Sequence, residues 1–243
     1  MLKTERQHQI LQRLQTDGIV RVSELAGTLT VDPVTIRRDL ADLEGQGRLA
    51  RTHGGALLRE TLGPADLPSD LQRRIAEAGA RFIPDQSVVF IGPGKLTQEI
   101  VAYLKDSAQL TLVTNALNVA WSIARQQRHT LHVVGGQVAE DHGMYGDSDA
   151  LATIRADWVI LEAQALDAER GLTDDDRDYA AVARHLFQIG AQVMLLVEPE
   201  RLGRTRALSI APASEVDVLI TGREAGNLPL WDLSELGIRV VLA

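Results

Sequence analysis

The stretch DPVTIRRDLADLEGQGRLARTHGGALL, residues 32–58, combines a strong helix start with two adjacent arginines and a Gly-Gly pair. Asp32 can accept hydrogen bonds from free backbone amides, and Pro33 at the first helical position loses no hydrogen bond. A helix is therefore predicted to run from this point to about Gly45 or Gly47.

The adjacent arginines of this helix are expected on its exposed side. Apolar residues at helical spacing mark the inward face, and these are Val34 or Ile36, Leu40 and Leu43. Thr35, Arg37 and Arg38 are left on or beside the exposed side, near the helix N-terminus. A partner that contacts this end of the helix would meet them first.

Two further short helices are predicted before this one. Apolar residues at helical spacing from Ile10 to Leu14 mark the first, and Ser23 is expected to cap the second, ELAGTL at 24–29. Three short helices with a tight turn between the last two form a helix-turn-helix, whose final helix enters the major groove of DNA. Thr35 and Arg37 or Arg38 would then reach bases or phosphates, since arginine can pair bidentately with guanine.

The segment RLARTHGGALL, residues 48–58, is predicted to form two short strands around a tip. This is a wing, and its basic side would touch the phosphate backbone or the minor groove. The candidate DNA-binding residues are Ser23, Val34, Thr35, Arg37, Arg38, Arg48, Arg51 and His53.

Charge is distributed unevenly along the 243 residues, which carry a net charge of −8 and 45% hydrophobic residues. Residues 1–60 hold nine Lys/Arg against eight Asp/Glu, and residues 61–243 hold sixteen against twenty-five. Such asymmetry points to two units with different partners. Because Pro and Gly interrupt any helical period within 60–70, we expect a winged helix-turn-helix domain at 1–58, a linker at 59–72 and a larger domain at 73–243.

Several classes of protein are disfavoured by the sequence. No apolar run approaches the roughly 20 residues that a bilayer span requires, so no membrane association is expected. The N-terminus is polar and the chain has no cysteine, which makes the cytoplasm the default location. The segment GPGKLT, residues 92–97, lacks the hydroxyl and the first glycine of a P-loop, and no Gly-x-Ser-x-Gly elbow occurs. No metal site and no cofactor are predicted.

Helical segments and short apolar runs alternate beyond the linker. This pattern predicts an α/β fold, with a mostly parallel sheet covered by helices on both faces. Ligands of such sheets bind outside the carboxyl ends of the strands. The loops expected there are 92–97, 114–118, 135–138, 162–167 and 198–204.

The block VTIRRDLADLEGQGRLARTHGGA, residues 34–56, resembles the winged helix of the DeoR family of bacterial transcriptional regulators. The resemblance implies that Asp39 is structural and pairs with a neighbouring arginine. LVTNALNVA, VVGGQV, ADWVIL and GLT resemble the DeoR-type C-terminal sensor domain, which is similar in fold to ribose-phosphate isomerase and glucosamine-phosphate deaminase. That domain typically recognises a phosphorylated sugar or a related metabolite.

The sequence departs from the family in the expected pocket. The family usually carries Asp-x-Gly-Ser/Thr-Thr after the first strand, where this chain has residues 92–97; Glu162 aligns with a family glycine, and Ala183 with a lysine. Lys95 would favour an anion, whereas Glu162 and the run 174–176 would oppose one. A sugar phosphate, an altered ligand and a silent pocket therefore all stay open. The candidate ligand-binding residues are Gly92, Gly94, Lys95, Thr97, Thr114, Asn115, Gly135, Gly136, Glu162, Arg184, Glu198 and Arg201.

These observations predict a DNA-binding transcriptional repressor of carbohydrate or related metabolic genes, controlled by a small metabolite. Its partners would be double-stranded operator DNA, a small-molecule effector and further copies of itself, because a single module has too small an interface for tight specific binding. Two alternatives are a regulator whose C-terminal domain only forms oligomers and an isomerase-like enzyme. The sequence shows no convincing acid and base pair for the enzyme.

Overall fold

The computed structural model describes residues 3–17, 19–45, 48–52, 54–58, 68–106, 109–139, 142–146, 150–151 and 153–243. The chain divides into two compact units, Met1–Leu67 and Pro68–Ala243. Within the described ranges, no helix combines the length and the apolar character that crossing a membrane would require.

The first unit is a small helical domain with a three-stranded antiparallel sheet. Its elements are α1 (Lys3–Asp17), β1 (Ile19–Arg21), α2 (Val22–Leu29), α3 (Pro33–Gly45), β2 (Leu49–Thr52) and β3 (Gly55–Leu58). The strand order is β1-β3-β2. The predicted three helices and the two wing strands are confirmed, whereas β1 was not predicted because three residues are too few to show a period.

The helix starts of this unit differ in how their free amides are satisfied. Asp32 caps α3 as predicted, since its Oδ1 accepts a hydrogen bond of 2.7 Å from the Val34 amide. The prediction that Ser23 caps α2 is wrong, because α2 begins one residue earlier, at Val22. The Val22 amide instead donates to the carbonyl oxygen of Gly54 at 2.9 Å, so the wing replaces the side-chain cap.

A buried ion pair ties α3 to α1. Asp39 on α3 is 2% exposed, and its two carboxylate oxygens accept from Nε and Nη2 of Arg6 on α1 at 2.5 and 3.2 Å. The expected structural role of Asp39 is confirmed, although its partner lies 33 residues away in sequence. A two-point contact of this kind fixes orientation as well as distance.

The second unit is built on a seven-stranded sheet in the order β15-β14-β12-β9-β4-β5-β6, in which every neighbouring pair is parallel. Its strands are β4 (Val88–Ile91), β5 (Thr111–Thr114), β6 (Thr130–Val133), β9 (Ala156–Glu162), β12 (Gly190–Leu196), β14 (Val218–Thr221) and β15 (Arg239–Leu242). Two smaller sheets consist of β7 (Gln137–Val138) with β8 (Met144–Tyr145), and of β10 (Ala165–Asp167), β11 (Gly171–Asp174) and β13 (Leu208–Ala211). The predicted parallel sheet is confirmed; the small antiparallel sheets were not foreseen.

Helices cover both faces of the large sheet. They are α4 (Asp70–Ala80), α5 (Lys95–Ile100), α6 (Leu117–Gln126), α7 (Arg177–Ile189) and α8 (Asn227–Glu235), with short 3-10 helices at Val101–Asp106, Pro199–Arg201 and Ala213–Glu215. Successive strand residues enter opposite cores: Phe90 packs in one cluster, and Val89 and Ile91 pack in the other. This two-sided burial explains why the strands appear in the sequence as continuous apolar runs.

The start of the second unit lies earlier than the predicted boundary. Ser69 and Gln72 form a capping box, in which Ser69 Oγ accepts from the Gln72 amide and Gln72 Oε1 accepts from the Ser69 amide. Helix α4 therefore begins at Asp70, inside the segment 59–72 that was expected to be a linker. The prolines of that segment indicated a linker, so the capping box at Ser69 was not predicted. Residues 59–67 lie outside the described residues.

The strand order reverses between β4 and β9. The chain proceeds from β4 through β5 to β6 on one side, and from β9 through β12 and β14 to β15 on the other. Adjacent loops diverge at such a switch point and leave a crevice outside the carboxyl ends of the two strands. The loop after β4 and the end of β9 therefore face this crevice.

We expect Gly55→Ala to destabilise the first unit by roughly 1–3 kcal/mol, because overpacking would force strands apart. A Cβ at Gly55 would lie 1.9 Å from the carbonyl oxygen of Val20 on β1, whereas a Cβ at Gly54 meets nothing within 4 Å. Amide hydrogen exchange of the strands in the full-length chain measures the effect, with Gly54→Ala as the matched control. Equal protection in the two variants would contradict this packing.

We expect Arg6→Ala to lower the free energy of unfolding of the first unit by about 3 kcal/mol, because Asp39 would be left buried without its charged partner. The matched control is Arg13→Ala, which removes an exposed arginine of the same helix that donates to Thr28 Oγ1. Its loss should cost well under about 1 kcal/mol. Exchange protection of the α3 amides is the measurement, and a similar loss in both variants would show that the buried pair does not stabilise α3.

Candidate DNA-binding surface and ligand crevice

Helix α3 presents two arginines that other described residues leave unpaired. Arg37 and Arg38 are exposed, and neither side chain forms an ion pair or a hydrogen bond with another described residue. Val34 is 51% exposed, so of the two alternatives for the inward face Ile36, at 0%, is the correct one. Thr35 is half-buried beside them. The leading turns of α3 thus offer two cations, a methyl-bearing side chain and a hydroxyl to a partner.

A groove of about 430 Å³ separates α3 from the wing. Arg37 from α3 and Arg51 from β2 both line it, together with Val22, Leu40, Thr52 and Gly55. One predicted side chain of the helix, Arg37, and one of the wing, Arg51, therefore border one concave surface. The sequence did not predict that Thr52 lines this groove, because threonine is common in strands and nothing in its neighbours marks a groove position.

The wing residues differ in how strongly they are held. Arg48 is exposed, and Arg51 lies 3.7 Å from Glu44 Oε2 while its backbone amide donates to Glu44 Oε1 at 3.0 Å. Both side chains of this pair are about half exposed, so the ion pair contributes little and can be exchanged for a phosphate. Ser23 is exposed on the first turn of α2. His53 lies outside the described residues.

Glu162 occupies the crevice at the switch point of the large sheet. It is the last residue of β9 and 8% exposed, and its Oε2 accepts a hydrogen bond of 2.8 Å from the backbone amide of Leu96 in α5. A Cβ at Gly94, where φ is 148°, would lie 2.5 Å from that oxygen. Only glycine at position 94 therefore lets the carboxylate lie against this loop.

Arg201 connects Glu162 to the next strand. Its Nη1 lies 2.9 Å from Glu162 Oε1 and 3.1 Å from the carbonyl oxygen of Ala163, and its Nη2 lies 2.9 Å from Glu198 Oε2. Glu198 Oε1 in turn accepts from Gln72 Nε2 at 2.9 Å. A continuous hydrogen-bonded network thus extends from Leu96 to the capping box of α4.

Opposing influences act on the carboxyl group of Glu162. Burial raises its pKa above the ordinary value, because the charged form loses its hydration, while the Leu96 amide and the Arg201 guanidinium act to lower it. Two donors at hydrogen-bond distance compensate an ionised carboxylate for the hydration that it loses on burial.

The structure brings together only part of the predicted ligand set. Glu162, Glu198, Arg201, Gly92 and Gly94 share the crevice, since Gly92 follows β4 and its amide donates to Ile160 of β9 at 3.0 Å. Thr97, fully buried, donates from Oγ1 to the Gly94 carbonyl oxygen at 3.1 Å, and Lys95 is exposed at the start of α5.

Thr114, the last residue of β5, and Asn115 after it make structural contacts beside the end of β4. Thr114 Oγ1 donates to the Ile91 carbonyl oxygen at 2.6 Å, and Asn115 Nδ2 donates to that of Met144 at 3.2 Å. Buried Asn115 Oδ1 has no hydrogen-bond partner among the described residues.

The last three predicted ligand residues make other contacts within the described residues. Gly135 and Gly136 follow β6 and are exposed, with Gly136 close against the backbone of Tyr145. Arg184 on α7 is exposed and donates to the carbonyl oxygen of Ser209. Arg184 is thus directed towards β13, and its role in ligand binding stays a prediction.

The acidic run 174–176 is engaged in structural contacts. Asp174 Oδ1 accepts from the Asp176 amide at 2.8 Å, Asp175 Oδ1 accepts from the Ala207 amide at 3.0 Å, and Asp176 caps α7. Burial raises the pKa of Asp174. Within the described part of the chain, no group of three or more His, Asp or Glu side chains is arranged to hold a metal ion.

Sequence reasoning missed Gln72 and the Leu96 amide. Gln72 lies 126 residues from Glu198 in sequence, and its only local signal is that of a helix cap. A backbone amide has no signature of its own. The part of the network that involves them could not be found without the fold.

Comparison with known proteins shows two matching domain families. Residues 6–61 match the DeoR-like helix-turn-helix domain, and residues 69–223 match the DeoR C-terminal sensor domain. The chain is 29% identical to the glycerol-3-phosphate regulon repressor of Escherichia coli, over 91% of each protein. It is 27% identical to the HTH-type transcriptional repressor GlcR of Bacillus subtilis, over 92% of this chain and 90% of that protein.

Among solved structures, a ribose 5-phosphate isomerase A from Methanocaldococcus jannaschii aligns with 54% of this chain and 53% of its own length. The chain thus spans about half the length of that enzyme. The TM-score is 0.41 and the sequence identity 10%, and similarity at this level supports no conclusion about activity.

The two domain matches follow each other in the order of the two structural units and together cover most of the sequence. The chain therefore belongs to the DeoR family, DNA-binding transcriptional regulators with an N-terminal helix-turn-helix domain and a C-terminal sensor domain.

Proposed function

We propose that this chain represses genes of carbohydrate metabolism by binding operator DNA through α3 and the wing, and that a small metabolite bound in the crevice of the second unit controls this binding. The observation that carries the proposal is the placement of Arg37 and Arg38. Both are exposed and unpaired among the described residues, whereas the adjacent Asp39 is buried against Arg6.

The DNA contacts follow from the exposure of each side chain. Arg37 and Arg38 lie on the leading turns of α3, where a recognition helix meets base edges, and Val34 and Thr35 offer apolar and hydroxyl contacts beside them. The proposed backbone contacts come from Arg48 and Arg51 of the wing, from Ser23 at the start of α2 and from His53.

The acidic side chains of this unit do not oppose such a contact. Asp39 is paired with Arg6, and Asp42 lies 2.7 Å from Lys3 of α1. Asp32 is engaged at its own helix start. Asp39 is buried and Asp42, one turn after Arg38, is paired with Lys3, so neither of these acids is paired with Arg37 or Arg38.

Metabolite control is supported by the crevice at the switch point. Open parallel sheets bind ligands at this place, and here Glu162, Glu198 and Arg201 supply polar groups. The relatives named above repress a glycerol-3-phosphate regulon or are transcriptional repressors. We infer a carbohydrate metabolite as the effector, a cytoplasmic location, and a homo-oligomer, dimer or tetramer, that reads paired half-sites.

We expect Arg37→Ala or Arg38→Ala to weaken operator binding by roughly 1–3 kcal/mol for a lost bidentate base contact. Fluorescence anisotropy of the full-length chain measures this on a duplex that the wild type selects from a random-sequence pool. A variant that loses a phosphate contact instead should weaken binding to all sequences and reduce the salt slope by about 1. The charge-matched control is Arg81→Ala, an exposed arginine of the second unit; if both α3 variants bind as this control does, the proposed surface is wrong.

We expect a carbohydrate metabolite to raise the thermal midpoint of the chain saturably and to change its affinity for the selected duplex. Binding to the folded state alone stabilises it by mass action. A panel of sugars and polyols, each with its phosphate ester, is tested in both assays. A compound that stabilises the chain without changing DNA affinity would argue against metabolite control.

A further inference from the structure

The cluster of Glu162, Arg201 and Glu198 does not by itself attract an anion, although the exposed Lys95 at the start of α5 adds a positive charge near the crevice. Glu162 and Glu198 stand at the carboxyl ends of the neighbouring strands β9 and β12, and Arg201 bridges them at 2.9 Å from each. With both carboxylates ionised, the single guanidinium is outnumbered. A phosphate dianion that approaches Arg201 would therefore also approach two carboxylates that already hold it.

Glu162 also accepts hydrogen bonds from the two groups that could otherwise bind an anion, the Leu96 amide and the Arg201 guanidinium. Its Oε2 takes the Leu96 amide at 2.8 Å and its Oε1 takes Arg201 Nη1 at 2.9 Å, so each carboxylate oxygen has a partner. The side chain is 8% exposed and lies directly against Gly94, where an added Cβ would be 2.8 Å from Glu162 Cβ. No space is left between the carboxylate and the loop for a second anion.

We propose that Glu162 determines the ligand specificity of the crevice: its carboxylate takes the place of an external anion on Leu96 and Arg201, so the site accepts an uncharged hydroxylated ligand rather than a phosphate ester. The inference rests on the proposed metabolite control. Hydroxyl groups suit the cluster because each can donate to the carboxylate oxygens and accept from the guanidinium, without adding charge.

A purely structural role for Glu162 predicts something different. Removal of a structural carboxylate would change stability and leave anion affinity as it was. Removal of an internal anion would release the Leu96 amide and one side of the Arg201 guanidinium for an external one. Arg201 would keep Glu198 at 2.9 Å, so its position does not depend on Glu162 alone.

The test compares inorganic phosphate binding to the wild type and to Glu162→Gly, both as full-length chains, by isothermal titration and thermal shift. We expect no saturable binding to the wild type up to about 10 mM, and an apparent Kd at least about tenfold lower in the variant. Glu162→Ala repeats the test if glycine loosens the end of β9. Glu162→Gly combined with Arg201→Ala should lose the gain, which assigns it to this crevice.

Glu198→Gln is the matched control, since it removes the same charge next to Arg201 without freeing the Leu96 amide. A gain in Glu162→Gly and Glu162→Ala that Glu198→Gln does not reproduce supports the proposal. The proposal is overturned if the wild type binds phosphate as tightly as the Glu162 variants do. It is also overturned if neither Glu162 variant binds phosphate more tightly than the wild type, or if Glu198→Gln gains as much phosphate affinity as they do. Binding of the selected duplex is measured for every variant, so that failure of the wild type to bind DNA counts against the proposed function and not against the role of Glu162.

Discussion

A carboxylate that is 8% exposed stays ionised only where it is hydrogen-bonded and charge-paired, and the arrangement of the crevice supplies Glu162 with both kinds of partner. The switch point between β4 and β9 brings the start of α5 close enough for the Leu96 amide to serve one oxygen. Arg201, placed by the 3-10 helix after β12, serves the other. Each partner comes from a different segment, so the carboxylate joins the end of β9 to α5 and to the 3-10 helix after β12.

The same cluster reaches the beginning of the second unit. Arg201 forms an ion pair with Glu198, and Glu198 accepts a hydrogen bond from Gln72. The Gln72 side chain also completes the capping box with Ser69. Ser69 lies two residues after Leu67, where the first unit ends. The crevice and the first turn of α4 are therefore members of one network, with contacts of 2.8 to 3.1 Å throughout.

The first unit also contains a buried acid that is paired with an arginine from another segment. Asp39 and Arg6 have side-chain exposures of 3% and 11%, lower than those of Glu162 and Arg201, and they join α3 to α1 by two hydrogen bonds. Because this pair fixes the rotation of α3, the adjacent Arg37 and Arg38 stay exposed. In both units a buried acid sets the geometry of the surface proposed to contact a partner.

The sequence by itself determined the features that depend on local hydrogen bonding and period: the start of α3 at Asp32, the helix-turn-helix order, the alternation that builds a parallel sheet, and the loops at its carboxyl ends. Only the tertiary structure decided that the wing carbonyl of Gly54 satisfies the start of α2, that Arg184 donates to the carbonyl oxygen of Ser209, and that Glu162 binds Leu96, 66 residues away, and Arg201, 39 residues away. Caps and periods involve neighbours within a few residues, so they leave a mark in the sequence. A buried charge takes its partners from whichever segments the fold brings within hydrogen-bond distance, and no local pattern records that choice.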